Sequence, residues 1–182
     1  NMCGILGEFG NILSEKSAFE KILKLSQNRG PDMVGYYSNS TIQFGFNRLS
    51  ILDTTENGNQ PIISPSGRYV VMCNGEIVNY HDIQNTCGIS NNQLRSASDT
   101  EVLSHAIDCW GVQKMLLHIR GMYAMSIFDL KENSLHLIRD PAGIKPLYTS
   151  KTDQGWIFAS QYDQIFKHPW CKPSLEINKE AL

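Results

Sequence analysis

A cysteine stands directly behind a methionine near the start of the chain, in the run Met2-Cys3-Gly4. If Met2 is cut away, Cys3 becomes a free N-terminus that carries a thiol and an α-amino group on one residue. The plain alternative is a small buried hydrophobe on a first strand. Five further stretches combine uncommon residue types: RGPD (29–32), NRLSILD (47–53), CNGEIVNY (73–80), SASDTE around Asp99, and LIRDPAGIKPLY (137–148). Taken singly, each has an ordinary reading. Asn-Gly is a turn dipeptide, and Asp99 is a first-turn helix acid beside a Ser98 cap. None of the five histidines lies in a motif that demands catalysis, so each reads as a surface or structural residue.

These residues need elements to hold them. CGILGEF (3–9) is short, apolar and Gly-punctuated, which predicts a buried strand. In SEKSAFEKILKLSQNRGP, residues Ala18, Phe19, Ile22, Leu23 and Leu25 fall at helical spacing, with Ser14 as N-cap and Gly30-Pro31 as the stop. Strands are expected around 42–46, 50–53 and 69–73. Ser98 and Glu101 form a capping-box pattern ahead of Val102, Leu103, Ala106, Ile107 and Trp110, the best helix start in the chain. A further short helix is expected over 112–119. MYAMSIFD, a KENS turn and LHLIRD read as a hairpin, followed by PLYTS and WIFAS as two more strands. Strands cluster at both ends and helices fall in blocks, which predicts α+β layers over an alternating parallel sheet.

The chain has 182 residues, enough for one domain with a sizeable core. Its net charge of −2 leaves no electrostatic footprint for nucleic acid, and no basic stripe points to a membrane surface. No apolar run is long enough to span a bilayer, and no signal peptide is visible. Five widely spaced cysteines, with no CxxC pair, give neither a disulfide framework nor a zinc site, so no metal is expected and a reducing cytoplasm fits. Asn1, ahead of a plausible start Met2, reads as a residue added in cloning.

Together, in this order, the six stretches resemble the glutaminase domain of the class II glutamine amidotransferases, and most closely the N-terminal domain of glutamine-hydrolysing asparagine synthetases. The resemblance runs from Cys3 to about Phe166. RGPD is the form carried by the asparagine synthetase branch. The resemblance implies an N-terminal-nucleophile hydrolase fold, a four-layer α/β/β/α sandwich of two mostly antiparallel sheets, with residues 3–182 as the glutaminase domain.

The resemblance also implies roles. Cys3 is the nucleophile, with its own α-amine, titrating near ~8, as base. Asn74 and Gly75 form the oxyanion hole. Arg48 pairs with the α-carboxylate of glutamine, as a guanidinium fork suits a planar carboxylate. Glu76 and Asp99 hold the α-ammonium, and Leu49, Ser50, Ile51 and Leu52 supply backbone contacts. Arg29, Gly30, Pro31 and Asp32 read as architecture around the site, and Arg139 with Asp140 as a structural ion pair. Gln161 departs from the pattern, because relatives usually carry glutamate there.

The expected reaction is hydrolysis of L-glutamine to glutamate and ammonia through a cysteinyl thioester, with the ammonia delivered to a synthetase site for asparagine synthesis or amidation of another carboxylate. The alternative is a silent glutaminase fold kept for partner binding. No SGGxDS-type phosphate loop occurs, so the sequence reads either as an excised domain, the favoured reading, or as a free-standing glutaminase, and no cofactor is expected for the glutaminase domain itself. ATP and Mg belong to a C-terminal synthetase domain, the expected partner, expected to lie outside this chain. A homodimer is compatible with the sequence. With Asn1 and Met2 still attached, the Cys3 nitrogen is an amide, and this polypeptide is expected to be inactive.

Overall fold

The computed structural model describes residues 3–50 and 55–171. Two antiparallel sheets form the centre. The first has the order β2 (Met33–Ser38), β3 (Ile42–Arg48), β1 (Gly4–Gly10), β9 (Gly155–Ala159) and β8 (Tyr148–Lys151). The second has the order β4 (Ile62–Ile63), β5 (Tyr69–Ile77), β6 (Gly121–Asp129) and β7 (Ser134–Arg139). Helices α1 (Lys16–Lys24) and α4 (Tyr162–Phe166) lie on the first sheet; α2 (Tyr80–Thr86) and α3 (Asp99–His118) lie on the second.

Three apolar clusters separate the four layers, and strand periodicity assigns side chains to them. Along β5, Val70 and Met72 enter the space between the sheets, while Tyr69, Val71 and Cys73 face α2 and α3. In β1, Ile5 faces the second sheet and Leu6 faces α1. In β9, Phe158 points inward while Ile157 and Ala159 point out to the helices. Each of these strands is apolar on both faces, as buried layers require. The expected four-layer sandwich is therefore the observed one.

Helix α1 buries Phe19, Ile22 and Leu23 at i, i+3 and i+4. Its N-cap is Glu15, not Ser14. Ser14 instead gives its amide (3.0 Å) and its hydroxyl to the buried Glu8 carboxylate. The helix also stops at Lys24, several residues before Gly30. Ser98 caps α3 as expected, its Oγ accepting the Glu101 amide at 3.1 Å. The reciprocal half of the box is absent, because the Glu101 carboxylate accepts from Arg95 Nε at 3.3 Å and Ser96 Oγ at 3.4 Å. Gly111, at φ 73°, breaks α3 into the two helical stretches expected, since L side chains avoid that conformation.

The β6–β7 hairpin and the strands β8 and β9 match expectation. Strand β2 and helices α2 and α4 were not anticipated. Ser50 is not in a strand, and the rest of the expected 50–53 strand lies outside the described residues. Arg139 and Asp140 do not pair. Arg139 donates to the carbonyls of Lys145 and Gly143 (both 2.6 Å), and the Asp140 carboxylate accepts the amides of Ile144 (3.0 Å) and Lys145 (3.1 Å). They hold the same loop by its two kinds of backbone group. No helix among the described residues is long and apolar enough to cross a membrane.

Candidate active site

Cys3 leads directly into β1, whose antiparallel register places Gly4 opposite Asn47 of β3. That register carries the chain after β3 past the thiol. The Leu49 amide donates to Cys3 Sγ at 3.4 Å, and the thiol lies 3.6 Å from the Leu49 carbonyl. On the other side, Arg29 Nε donates to the Cys3 carbonyl at 3.1 Å. Asp32 braces the same loop, accepting the Ser50 amide at 2.7 Å. RGPD is thus architecture around the site, as expected, and Arg29 touches Cys3 itself.

Burial raises the Cys3 thiol above its usual pKa, against the Leu49 amide and the charges of Arg48 and Arg29, which lower it. A thiol so placed stays protonated at neutral pH and needs a base before it can attack. Cys73, deeper and fully enclosed, is pushed up further by burial and then by the charges of Asp99 and Cys3.

Asn74 is 1% exposed, and its Nδ2 has no hydrogen-bond partner among the described residues. It continues the Val70–Met72 face of β5, so its side chain turns to the inter-sheet space where Cys3 also packs. An orphaned buried amide costs stability unless something else uses it. Gly75 follows, and a Cβ there would lie 2.0 Å from the Met122 carbonyl oxygen, so only glycine lets β5 and β6 approach this closely. Strand β5 runs on through Asn74, Gly75 and Glu76 to Ile77, so the Asn-Gly pair is strand and not turn.

A cavity of about 70 Å³ has walls that include Cys3, Arg48, Leu49, Gln60, Gly75 and Asp99; Asn74 is not among its lining residues. Arg48 is 5% exposed, and its Nη1 donates to the Thr55 carbonyl at 2.5 Å. Asp99, 6% exposed, takes the amides of Ile77 (2.7 Å) and Thr100 (2.8 Å). Burial raises its carboxyl pKa, those two amides oppose the shift, and Glu76 adds to it. Glu76 is exposed and stands outside the cavity wall, close enough for its charge to reach Asp99. Ser50 follows Leu49 but is not among the residues lining the cavity, while Ile51 and Leu52 lie outside the described residues.

One contributor escaped the sequence. Gln60 accepts the Cys73 amide at 2.6 Å and donates to the Cys73 carbonyl at 3.2 Å, holding the strand next to Asn74. No motif signals it.

The cavity brings together a buried thiol, one cation and one anion, and the unpaired Asn74 amide lies on the strand that supplies one of its walls. A profile described as the glutamine amidotransferase domain matches residues 2–182. The chain belongs to the glutamine amidotransferase family. Within that family, it is 36% identical over 186 residues to "Asparagine synthetase [glutamine-hydrolyzing] 2" of Bacillus subtilis (strain 168), covering 100% of this chain and 24% of the relative. "Asparagine synthetase [glutamine-hydrolyzing] 1" of Arabidopsis thaliana is 31% identical over 150 residues, 81% of this chain and 25% of the relative. The chain therefore spans about a quarter of the length of these relatives. Among solved structures, the glutamine phosphoribosylpyrophosphate amidotransferase from B. subtilis superposes with a TM-score of 0.73 at 20% identity, over 91% of this chain and 43% of that one. At that identity the likeness concerns the fold alone.

Proposed function

We propose that this glutamine amidotransferase domain hydrolyses L-glutamine to L-glutamate and ammonia through a thioester on Cys3. The observation that carries the reading is the unpaired Asn74 Nδ2, buried on the inter-sheet face where Cys3 packs. When the thiolate adds to the side-chain amide, the carbonyl oxygen becomes an anion. Asn74 Nδ2 and the Gly75 amide then donate to it, and each such donor is worth about 3 kcal/mol of barrier. Arg48 takes the α-carboxylate in competition with the Thr55 carbonyl, and Asp99 takes the α-ammonium. Glu76 adds negative charge from outside the cavity. Leu49 binds through its backbone beside the thiol.

The thiol proton goes to the α-amine of Cys3 once residues 1 and 2 are removed, and from there to the leaving ammonia. Water then enters, the same amine takes its proton, and glutamate leaves as the thioester breaks. With Asn1 and Met2 attached, the Cys3 nitrogen is an amide with no lone pair available, and the burial-raised thiol has no base.

The ammonia passes to an acceptor carboxylate in a synthetase portion that uses ATP and Mg. The B. subtilis and A. thaliana relatives, named as glutamine-hydrolysing asparagine synthetases, support aspartate as that acceptor. The test is glutamate release from glutamine by three purified forms. Protein starting at Cys3 should turn over, the same protein with Cys3→Ala should not, and protein retaining Asn1-Met2 should be silent. Turnover by the Asn1 form sinks the α-amine mechanism, and silence of the Cys3-terminal form sinks the glutaminase reading.

A further inference from the structure

Strand β4 pairs with β5 at Ile62–Val71 and Ile63–Val70, and the ladder then meets Pro61, which has no N–H to give. Extending that register puts Gln60 across from Cys73, and there the Gln60 side chain takes the place of a strand backbone. Its Oε1 accepts the Cys73 amide at 2.6 Å and its Nε2 donates to the Cys73 carbonyl at 3.2 Å, the exchange that a hydrogen-bonded strand pair makes. Nε2 also donates to Thr100 Oγ1 at 3.3 Å, and the Thr100 hydroxyl donates in turn to Asp99 Oδ1 at 3.4 Å. Both protons of the Gln60 amide and the one proton of the Thr100 hydroxyl are thereby used, so the bridge has a single direction.

The base of the bridge is fixed as well. The Gln60 carbonyl lies so close to Gly35 of β2 that no Cβ would fit there. Asn59 donates to the Val34 carbonyl at 3.2 Å and accepts the Gln60 amide at 2.9 Å. Gln60 is 8% exposed and Thr100 3%, and both line the cavity with Cys3, Gly75 and Asp99. Segment 74–76 is held at both its ends, by Gln60 at Cys73 and by Asp99 at Ile77. Thr100 joins the two holds.

We infer that Gln60 and Thr100 are positioning residues that set the span between Asp99 and the Asn74–Gly75 strand, and so select a substrate amide by its distance from the α-ammonium. The inference rests on the glutaminase reading, in which Asp99 holds the ammonium and Asn74 with Gly75 meets the oxyanion. L-Glutamine and L-asparagine carry the same zwitterion and the same amide, and differ by one methylene between them. Contact with a methylene alone discriminates by about 10–200-fold. A span fixed by buried hydrogen bonds adds misplacement of the reacting carbon, which costs about 10²-fold for an error of about 1 Å.

The test uses protein starting at Cys3 and compares glutamine with asparagine by steady-state release of glutamate and aspartate. Gln60→Leu removes the bridge. Its kcat for glutamine should fall about 10²-fold, and its kcat/KM preference for glutamine over asparagine should narrow about tenfold or more. Thr100→Val cuts only the link to Asp99, so KM for glutamine should rise about tenfold with kcat within about twofold. Thr100→Ser keeps the hydroxyl and should restore KM. If Gln60→Leu fails to fold, the contrast between Thr100→Val and Thr100→Ser decides, and calorimetry in the Cys3→Ala background should show the same contrast in glutamine affinity. Variants that melt earlier yet keep the unsubstituted kcat, KM and amide preference overturn the span-setting role, as does a Thr100→Ser impaired as much as Thr100→Val. Silence of the unsubstituted protein sinks the glutaminase reading, and this inference with it.

Discussion

The Asp99 carboxylate accepts the backbone amide of Ile77 at 2.7 Å, tying the first residue of α3 to the strand that carries Asn74, Gly75 and Glu76. One side chain therefore sets the position of the anion and of the strand beside it. Asp99→Asn keeps the size but removes the charge that faces an α-ammonium. The expected outcome is a rise in KM for glutamine of about 30-fold or more, with a smaller change in kcat, measured by steady-state glutamate release. An equal fall in kcat with KM unchanged would contradict the binding role.

Asn74→Ala removes a donor that has no partner among the described residues, so the fold should lose little. Its cost should appear in the transition state, as a fall in kcat of about 10²–10³-fold with KM nearly unchanged. A variant with wild-type kcat would remove Asn74 from the oxyanion hole.

Arg48→Lys keeps the charge and loses the planar fork. KM for glutamine should rise by about tenfold or more, and glutamine analogues without the α-carboxylate should lose no affinity. The comparison of the two ligands by calorimetry isolates the carboxylate contact from any change in fold.

Gly75→Ala tests packing. The new Cβ would sit 2.0 Å from the Met122 carbonyl oxygen on β6, which is backbone locked in a nine-residue pairing and has nowhere to move. A loss of about 3 kcal/mol or more is expected in urea unfolding, far beyond a typical surface change.

Acid stability should centre on Glu8. Burial pushes its carboxyl up, but hydrogen bonds from His168 (2.8 Å) and Ser14 outweigh that and hold its pKa below the ordinary 4.5. A carboxyl depressed in the folded state binds fewer protons than in the unfolded chain. Its contribution is therefore complete above about 4.5 and is lost as pH falls through the folded value. The urea midpoint should drop on acidification below that range. His168→Ala should lower the unfolding free energy at pH 7 by ~1–3 kcal/mol and flatten the acid decline.

The sequence was most legible where local chemistry decides structure. Ser98 caps α3, the Lys131–Ser134 turn closes the β6–β7 hairpin, and the spacing of Phe19, Ile22 and Leu23 makes one helix face. Layering was not legible from pattern alone. β1, β5 and β9 are buried on both faces, so they lack the alternation that tells a sheet's inside from its outside, and the four-layer order came from the family resemblance. Ser14 looked like a cap because nothing nearby in sequence announces that Glu8 would claim it. In the site, Cys3, Arg48, Leu49, Gly75 and Asp99 were all named from motifs and all line one cavity. Gln60 was missed because its partner is the backbone of Cys73, and a contact with backbone leaves no mark on the partner's residue type.

The placement of β1 has a consequence for the order of synthesis. This first strand is flanked by β3 on one edge and by β9 on the other, and the Ile5 amide donates to Ser160 Oγ at 3.0 Å. The nucleophile's strand thus waits for its second neighbour until more than a hundred residues after β3 have been translated. Ribosome-bound chains ending before Gly155 have one open edge beside Cys3. The sheet that shields the thiol is completed only by a late-emerging strand, so the cysteine made first is enclosed last.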